Sequence, residues 1–189
     1  MEEKMKLIPN ASSIARIAIL ALLLPAGLLA AANPDSAAIS KLLQSAKAHA
    51  TAADSDADTL VTYSRSGVSW LTQGNQLNLI KEDVNNLIRD SNKLASMRDE
   101  GSPWQQRAID RITALLPEIA NQLTATINYL NRNLNRASME PYCDNVRTDY
   151  ALMRNAHETI AGFADYGKAK AEMEARETPS QLSANATAP

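Results

Sequence analysis

The stretch GSPWQ at residues 101–105 constrains the fold more than any other part of the sequence. Gly101 suits the left-handed conformation that often follows a helix C-terminus. Ser102 can act as the N-cap of the next helix, Pro103 as its first residue, and Gln105 as the capping-box partner. Because one helix is predicted to end and another to begin within a few residues, the two must be antiparallel neighbours. We expect Trp104, at the start of the second of these helices, to pack over the end of the helix that precedes it.

Three long segments, 56–98, 103–137 and 141–176, carry apolar residues at recurring spacings of three and four. This periodicity predicts amphipathic helices. Residues 36–53 carry a weaker stripe of the same kind. The stretch DSDAD at 54–58 then offers the signals of a helix start, with Ser55 as N-cap. We therefore predict an all-α fold: an elongated antiparallel helical bundle or coiled coil of three long helices plus a shorter N-terminal helix.

Composition agrees with helices rather than sheets. Aromatic residues make up 4% of the chain, glycines number 6, and neither Asn-Gly nor Asp-Gly occurs as a hairpin turn. The predicted organisation has four parts. They are a signal peptide at 1–32, a short helix and linker at 33–55, an antiparallel three-helix bundle at 56–176 and a disordered tail at 177–189.

One irregularity interrupts the apolar stripe of the third segment. Its spacing alternates between three and four except at Ile119, Leu123 and Ile127, where two steps of four follow each other. Such an insertion predicts a stutter, a point where supercoiling relaxes.

The N-terminus has the order of a secretory signal peptide. Basic residues precede an apolar run at 17–32, which ends in three alanines, so we predict cleavage between Ala32 and Asn33 and an exported protein, periplasmic or secreted. The alternative is an uncleaved membrane anchor at 14–32. The apolar run has a proline within it and is shorter than the ~20 residues that a spanning helix needs, which favours cleavage.

The residue types needed for catalysis or metal binding are sparse. The chain has 2 histidines and 1 cysteine, Cys143, and no His-Glu-x-x-His or Cys-x-x-Cys pattern. Its net charge of −2 comes from mixed signs without a basic stripe, so we expect no nucleic-acid partner. We predict a non-enzymatic protein without a cofactor, which interacts with another protein or with itself, or is a structural component of the envelope. A membrane is a partner only if the leader is retained.

A possible pocket or partner contact is predicted at Gly67, Trp70, Gly74 and His157. The two glycines lie on the apolar stripe with the tryptophan between them, and small residues allow a neighbouring helix to approach closely. If they instead leave a groove, the protein is a periplasmic small-molecule-binding or sensory bundle. The interaction module and the membrane-tethered bundle are the other two hypotheses.

Several segments are similar to those of a group of exported, all-helical bacterial proteins of unknown function. They are SGVSWLTQGNQLNLIKEDVNNL, SPWQQRAIDRI, TATINYLNRN and FADYGKAK, which together cover most of residues 66–170. The resemblance implies export and helical hairpins. It implies no catalytic or ligand-binding residue.

Overall fold

Four α-helices account for most of residues 33–185, the part of the chain that the computed structural model describes; side chains are described for residues 33–177. The helices are α1, Ala37–Ser66; α2, Trp70–Ser96; α3, Pro103–Arg132; and α4, Glu140–Asn185. Short 3₁₀ turns at Arg98–Glu100 and Leu134–Arg136 precede α3 and α4. The all-α prediction is confirmed for this part of the chain. The predicted signal peptide, or anchor, at 1–32 lies outside it.

Each helix packs on two neighbours. The helix α1 contacts α2 and α4, and α3 contacts the same two helices from the other side. Contacts run in opposite directions along α1 and α2, because Ser45 bonds to Asp90 while Gln76 bonds to the carbonyl of Asp56. The same holds for α2 and α3, where Ser91 bonds to Thr113 while Gly74 lines a groove with Leu130. It also holds for α3 and α4, where Trp104 contacts Tyr166 while Tyr129 stacks on Tyr142. Consecutive helices are therefore antiparallel, as the tight reversal at 101–105 predicted.

The core is built from coiled-coil seams, by which we mean lines of buried residues spaced alternately by four and three. In α1 the seam consists of Ile39, Leu43, Ala46, Ala50, Ala53, Ala57, Leu60 and Ser64. The middle of this seam is alanine, and these side chains are at most 1% exposed. Small seam residues let the neighbouring backbones approach closely.

The predicted boundary at 54–58 is wrong, and so is the short first helix. The seam of α1 continues through Ala53 and Ala57 to Ser64, so α1 has 30 residues, against 27 in α2. The true boundary follows at Gly67, which caps α1 in the left-handed conformation at φ 70°. The hydroxyl of Ser69 then accepts from the amide of Thr72 at 3.2 Å and starts α2.

The reversal before α3 is confirmed, with one correction. Gln105 Oε1 accepts from the amide of Ser102 at 3.1 Å, and Pro103 begins the helix. Gly101, however, is extended at φ −83° rather than left-handed. An added Cβ there would lie 2.9 Å from Cδ1 of Ile39, so a larger residue would force that side chain to shift.

Two further expectations are corrected further along the chain. The seam of α3 contains no stutter, because Thr126, with no exposed surface, takes the position between Leu123 and Leu130. The helix α4 does not end at 176 but continues to Asn185, so residues 177–185 of the predicted disordered tail are helical. Within residues 33–185, no helix combines the length and the apolar character that crossing a membrane requires.

Candidate functional site

The predicted pocket residues do not come together. Trp70 and Gly74 line one shallow groove with Leu130 of α3, about 190 Å³ in volume. The ring of Trp70 is 44% exposed, at the first turn of α2. Gly67 is a helix cap, and an added Cβ would meet nothing within 4 Å.

The fourth predicted residue, His157, lies elsewhere. Its Nδ1 is 3.0 Å from Oδ2 of Asp54 on α1, and both side chains are partly buried. Asp54 and Gly67 are thirteen positions apart along α1, which places the histidine ~20 Å from the glycine cap. His157 thus joins α1 to α4 instead of lining the groove of Trp70.

Another tryptophan organises the opposite end of the bundle. Trp104 is 7% exposed, and its Nε1–H donates to Oδ1 of Asp35 at 2.7 Å. Lys170 of α4 donates to the other oxygen of Asp35 at 2.6 Å. Gln105 donates to the carbonyl of Ser36 and accepts from its amide, both at 2.9 Å. We call Asp35, Trp104, Gln105 and Lys170 the clasp, because they fasten the start of α1 to α3 and α4.

The hydrogen bonds of the clasp favour the ionised form of the Asp35 carboxylate. Burial acts to raise the pKa of Asp35, but hydrogen bonds from Lys170 and Trp104 outweigh it and hold the pKa below its ordinary value. The predicted cleavage junction adjoins this region. Ala32 lies outside the described residues, and the side chain of Asn33 donates to the carbonyl of Asp99 at 2.8 Å.

An open groove runs between α3 and α4 beside the clasp. Its volume is about 660 Å³, and its lining is Trp104, Arg107, Arg111, Thr159, Gly162, Phe163 and Tyr166. The rings of Trp104 and Tyr166 meet edge to face at 5.2 Å. Gly167 allows the tryptophan to lie against α4, since an added Cβ would be 2.6 Å from its Cη2. We refer to this feature as the α3–α4 groove.

The α3–α4 groove is bordered by positive charge. Arg107 and Arg111 are exposed, and neither forms an ion pair with any described side chain. Arg98, one turn before α3, differs: it binds Asp110 through two hydrogen bonds of 2.6 and 2.8 Å. No carboxylate is among the groove's lining residues. Chemically, the groove can accept an anionic group beside an apolar or aromatic one.

Buried polar residues form a separate cluster towards the other end of the bundle. Two contacts between helices show where this cluster lies along the bundle axis: Cys143 contacts Ser64, and Gln122 contacts Asn145. Each helix contributes to it, and we call the set the polar layer: Ser64 from α1, Gln73 and Gln76 from α2, Thr126 from α3 and Asp149 from α4.

The polar layer is incompletely hydrogen-bonded. Both carboxyl oxygens of Asp149 lack a partner among the described residues, and so do Oε1 of Gln73 and the hydroxyl of nearby Tyr142. Burial raises the pKa of Asp149 to about 7. The hydroxyl of Thr126 acts to lower this pKa but does not outweigh burial. In the structure it donates to the carbonyl of Gln122 at 3.2 Å.

The histidine, cysteine and carboxylate side chains of the described residues include no group of three or more placed to hold a metal ion. Cys143 is a buried thiol, 7% exposed, whose Sγ lies 3.7 Å from the carbonyl of Ser64.

The sequence contains a signal for the α3–α4 groove that the prediction did not use. Trp104, Arg107 and Arg111 follow each other at spacings of three and four, which puts an aromatic ring and two cations on one face of a helix. Their lack of carboxylate partners is a tertiary property that the spacing does not encode.

Comparison of the chain with protein-family models, with curated proteins and with solved structures finds no match.

Proposed function

We propose that the protein is an exported helical bundle that acts without catalysis, by binding a partner protein in the α3–α4 groove. One observation carries the proposal: Arg107 and Arg111 border an apolar groove and form no ion pair with any described residue. Exposed cations beside aromatic rings are typical of contact surfaces, in which Arg, Trp and Tyr contribute most of the binding energy.

The groove favours an acidic partner segment with an aromatic or aliphatic anchor. The two arginines are four positions apart on α3, so their guanidinium groups can bind two carboxylates spaced along one segment. Between them and the rings of Phe163 and Tyr166 lies space for an apolar side chain. The groove is open along its length, which suits a peptide better than a small molecule, since pockets for small molecules enclose most of the ligand's surface.

Export is supported by the leader alone. The order of basic residues, apolar run and small residues before Asn33 is that of a cleaved signal peptide. In that setting the bundle is an interaction module of the envelope or of the secreted fraction. If the leader is retained, the same groove is displayed by a membrane-tethered bundle.

The test uses a peptide rich in Asp and Glu with one Phe, and a control peptide with Asn and Gln at the acidic positions. Binding is followed by fluorescence of Trp104 in the Trp70→Phe background, where it is the sole tryptophan of the sequence. We expect the acidic peptide to bind and the double variant Arg107→Glu/Arg111→Glu to lower its affinity at least ~10-fold.

The matched control is Arg89→Glu/Lys93→Glu, which reverses two exposed charges at the same spacing on α2. It should leave the affinity within about 2-fold, since surface charges distant from a contact act weakly through screened solvent. Equal loss in both double variants would show attraction by overall charge, and equal binding of both peptides would show that the acidic groups are not recognised. Either result would contradict the proposal. Binding of small aromatic carboxylates alone would favour the small-molecule hypothesis instead.

A further inference from the structure

Asp149 occupies a position in the core where an aspartate is out of place. It lies on the seam of α4 between Val146 and Met153, and it is 1% exposed. Neither carboxyl oxygen has a hydrogen-bond partner among the described residues. An ionised carboxylate left unpaired in such a place is strongly unfavourable, because burial removes its hydration without replacing it.

The helices that face Asp149 offer it no countercharge. The contacts of Asp54 with His157 and of Ser64 with Cys143 place the stretch 59–64 of α1 at this level. Neither this stretch nor 70–80 of α2 or 119–131 of α3 contains Asp, Glu, Lys, Arg or His. The charged residues that border these stretches are all exposed: Asp58, Arg65, Lys81, Glu118 and Arg132. The titratable groups at this level are phenols and one thiol: Tyr63 on α1, Tyr129 on α3, and Tyr142, Cys143 and Tyr150 on α4.

Charged residues along α4 itself are already engaged and point outward. Arg147 is exposed and pairs with Glu140 and Asp144, and Arg154 is exposed and binds Glu158 and Tyr150. The next ion pair towards the clasp joins His157 to Asp54, eight positions or ~12 Å along α4. Protonation is therefore the one route to neutrality that these surroundings leave for Asp149.

We propose that Asp149 is a proton-binding switch within the polar layer: as a carboxylic acid it keeps this end of the bundle closed, and on ionisation it loosens it. The protonated carboxyl is neutral and can donate one hydrogen bond to a neighbouring hydroxyl, whereas the carboxylate has to be hydrated by water entering between the helices. This inference does not depend on the α3–α4 groove.

The direction of the pH dependence follows from linkage. The pKa of Asp149 is about 7 in the folded bundle, against 3.8 for an ordinary aspartate, with burial as the main cause. Between these two values the folded state holds one more proton than the unfolded state. The resulting stability is complete below about pH 4, declines as the pH rises towards 7, and changes no further above that.

Cys143 is a natural reporter for the loosened state. It is the sole cysteine of the sequence, and it is buried against the carbonyl of Ser64, across the boundary between α4 and α1. It follows directly after Tyr142, whose hydroxyl is buried and whose pKa is raised by burial and by the neighbouring Asp149. If this end opens when Asp149 ionises, reagents gain access to the thiol.

The test compares the wild-type protein with Asp149→Asn, which has the shape of the protonated acid and does not titrate. The control is Asp144→Asn, the same change at an exposed position of α4. Relative to Asp149→Asn, the unfolding constant of the wild type should rise ~10-fold per pH unit between pH 4 and 7 in denaturant titrations. Asp144→Asn should keep the wild-type slope.

Labelling of Cys143 with a disulfide reagent that reacts in both acid and base gives a second readout. Dividing the labelling rate of the wild type by that of Asp149→Asn removes the pH dependence of the thiol itself. This ratio should rise several-fold from pH 5.5 to 8. Infrared difference spectra of the wild type at pH 5.5 and 9 should show a protonated carboxyl band that is lost in base, and this readout needs no variant. Parallel pH slopes in wild type and Asp149→Asn, or absence of that band, would overturn the proposal.

Discussion

Each end of the bundle holds an aspartate, partly buried at the clasp and fully buried in the polar layer, and the pKa of the two shifts in opposite directions. At the clasp, Asp35 receives hydrogen bonds from an indole and an ammonium group, and its pKa is lowered. In the polar layer, Asp149 receives none from the described residues, and its pKa is raised. The same side chain is therefore an anion that fastens helices together at one end and a group that becomes a neutral acid below about pH 7 at the other. Hydrogen-bond partners and depth of burial together decide which form a carboxyl adopts.

Removing the centre of the clasp should have the largest effect on stability. Trp104→Ala deletes a buried ring together with its hydrogen bond to Asp35, so we expect it to lower the free energy of unfolding by about 3–5 kcal/mol. Trp70→Ala, at an exposed position of α2, should cost less than about 1 kcal/mol. Urea denaturation of both variants measures the difference, and equal losses would contradict the central role of the clasp.

Two glycines on α4 provide the next comparison. Gly167→Ala places a Cβ 2.6 Å from the ring of Trp104, and we expect a loss of about 1–3 kcal/mol as the ring is displaced. Gly162→Ala meets nothing within 4 Å and should stabilise α4 by about 0.5–1 kcal/mol through better helix propensity. Thermal unfolding should shift in opposite directions, and a stable Gly167→Ala variant would show that the close packing is not required.

The carboxylate of the clasp can be tested through its pH dependence. Asp35→Asn should cost about 1 kcal/mol at pH 7, a small value because the ion pair with Lys170 is partly exposed to solvent. Since the folded pKa of Asp35 lies below its ordinary value, the stability it contributes is present above pH ~4 and is lost as the pH falls further. Wild type and variant should therefore converge in acid, the reverse of the behaviour expected for Asp149. Divergence of the two curves in acid would contradict this assignment.

The smallest change should be found at Thr126 in the polar layer. Its hydroxyl donates to the carbonyl of Gln122 in its own helix, so Thr126→Val should alter stability by less than about 1 kcal/mol. The hydroxyl also lowers the pKa of Asp149 slightly, so its removal should raise that pKa. Carboxyl chemical shifts followed across the titration would detect the displacement. A lowered pKa in Thr126→Val would show that burial is not its main cause.

The sequence predicts the fold where its signals are local. The reversal at 101–105 is read correctly because caps, a first-turn proline and a glycine act within a few residues. The boundary between α1 and α2 is missed because alanine contributes little hydrophobic signal. Ala53 and Ala57 carry the seam through a stretch that resembles a helix start in composition.

The same reasoning explains why the polar layer was not foreseen. Thr126 and Asp149 occupy seam positions, but their side chains are polar. In the sequence, the apolar spacing therefore favours the next residues, Ile127 and Tyr150, as core members, although both are only half-buried. The pairing of Arg98 with Asp110, and the absence of such a partner for Arg107 among the described residues, depend on side-chain directions in three dimensions. Spacing along one helix does not determine them.

Gln105 has a consequence for the order in which the chain can fold. Its amide serves the starts of two helices at once, bonding Ser102 at the head of α3 and Ser36 at the head of α1, 69 positions away in sequence. Asp35 is held by Trp104, also 69 positions away, and by Lys170, which is 135 positions away. During synthesis the residues beside the predicted cleavage site emerge early, yet their partners arrive only with α3 and, for Lys170, with the last helix. The N-terminal segment is therefore fixed only after α3 and α4 have formed, and under the proposed export a processing enzyme would meet it before then.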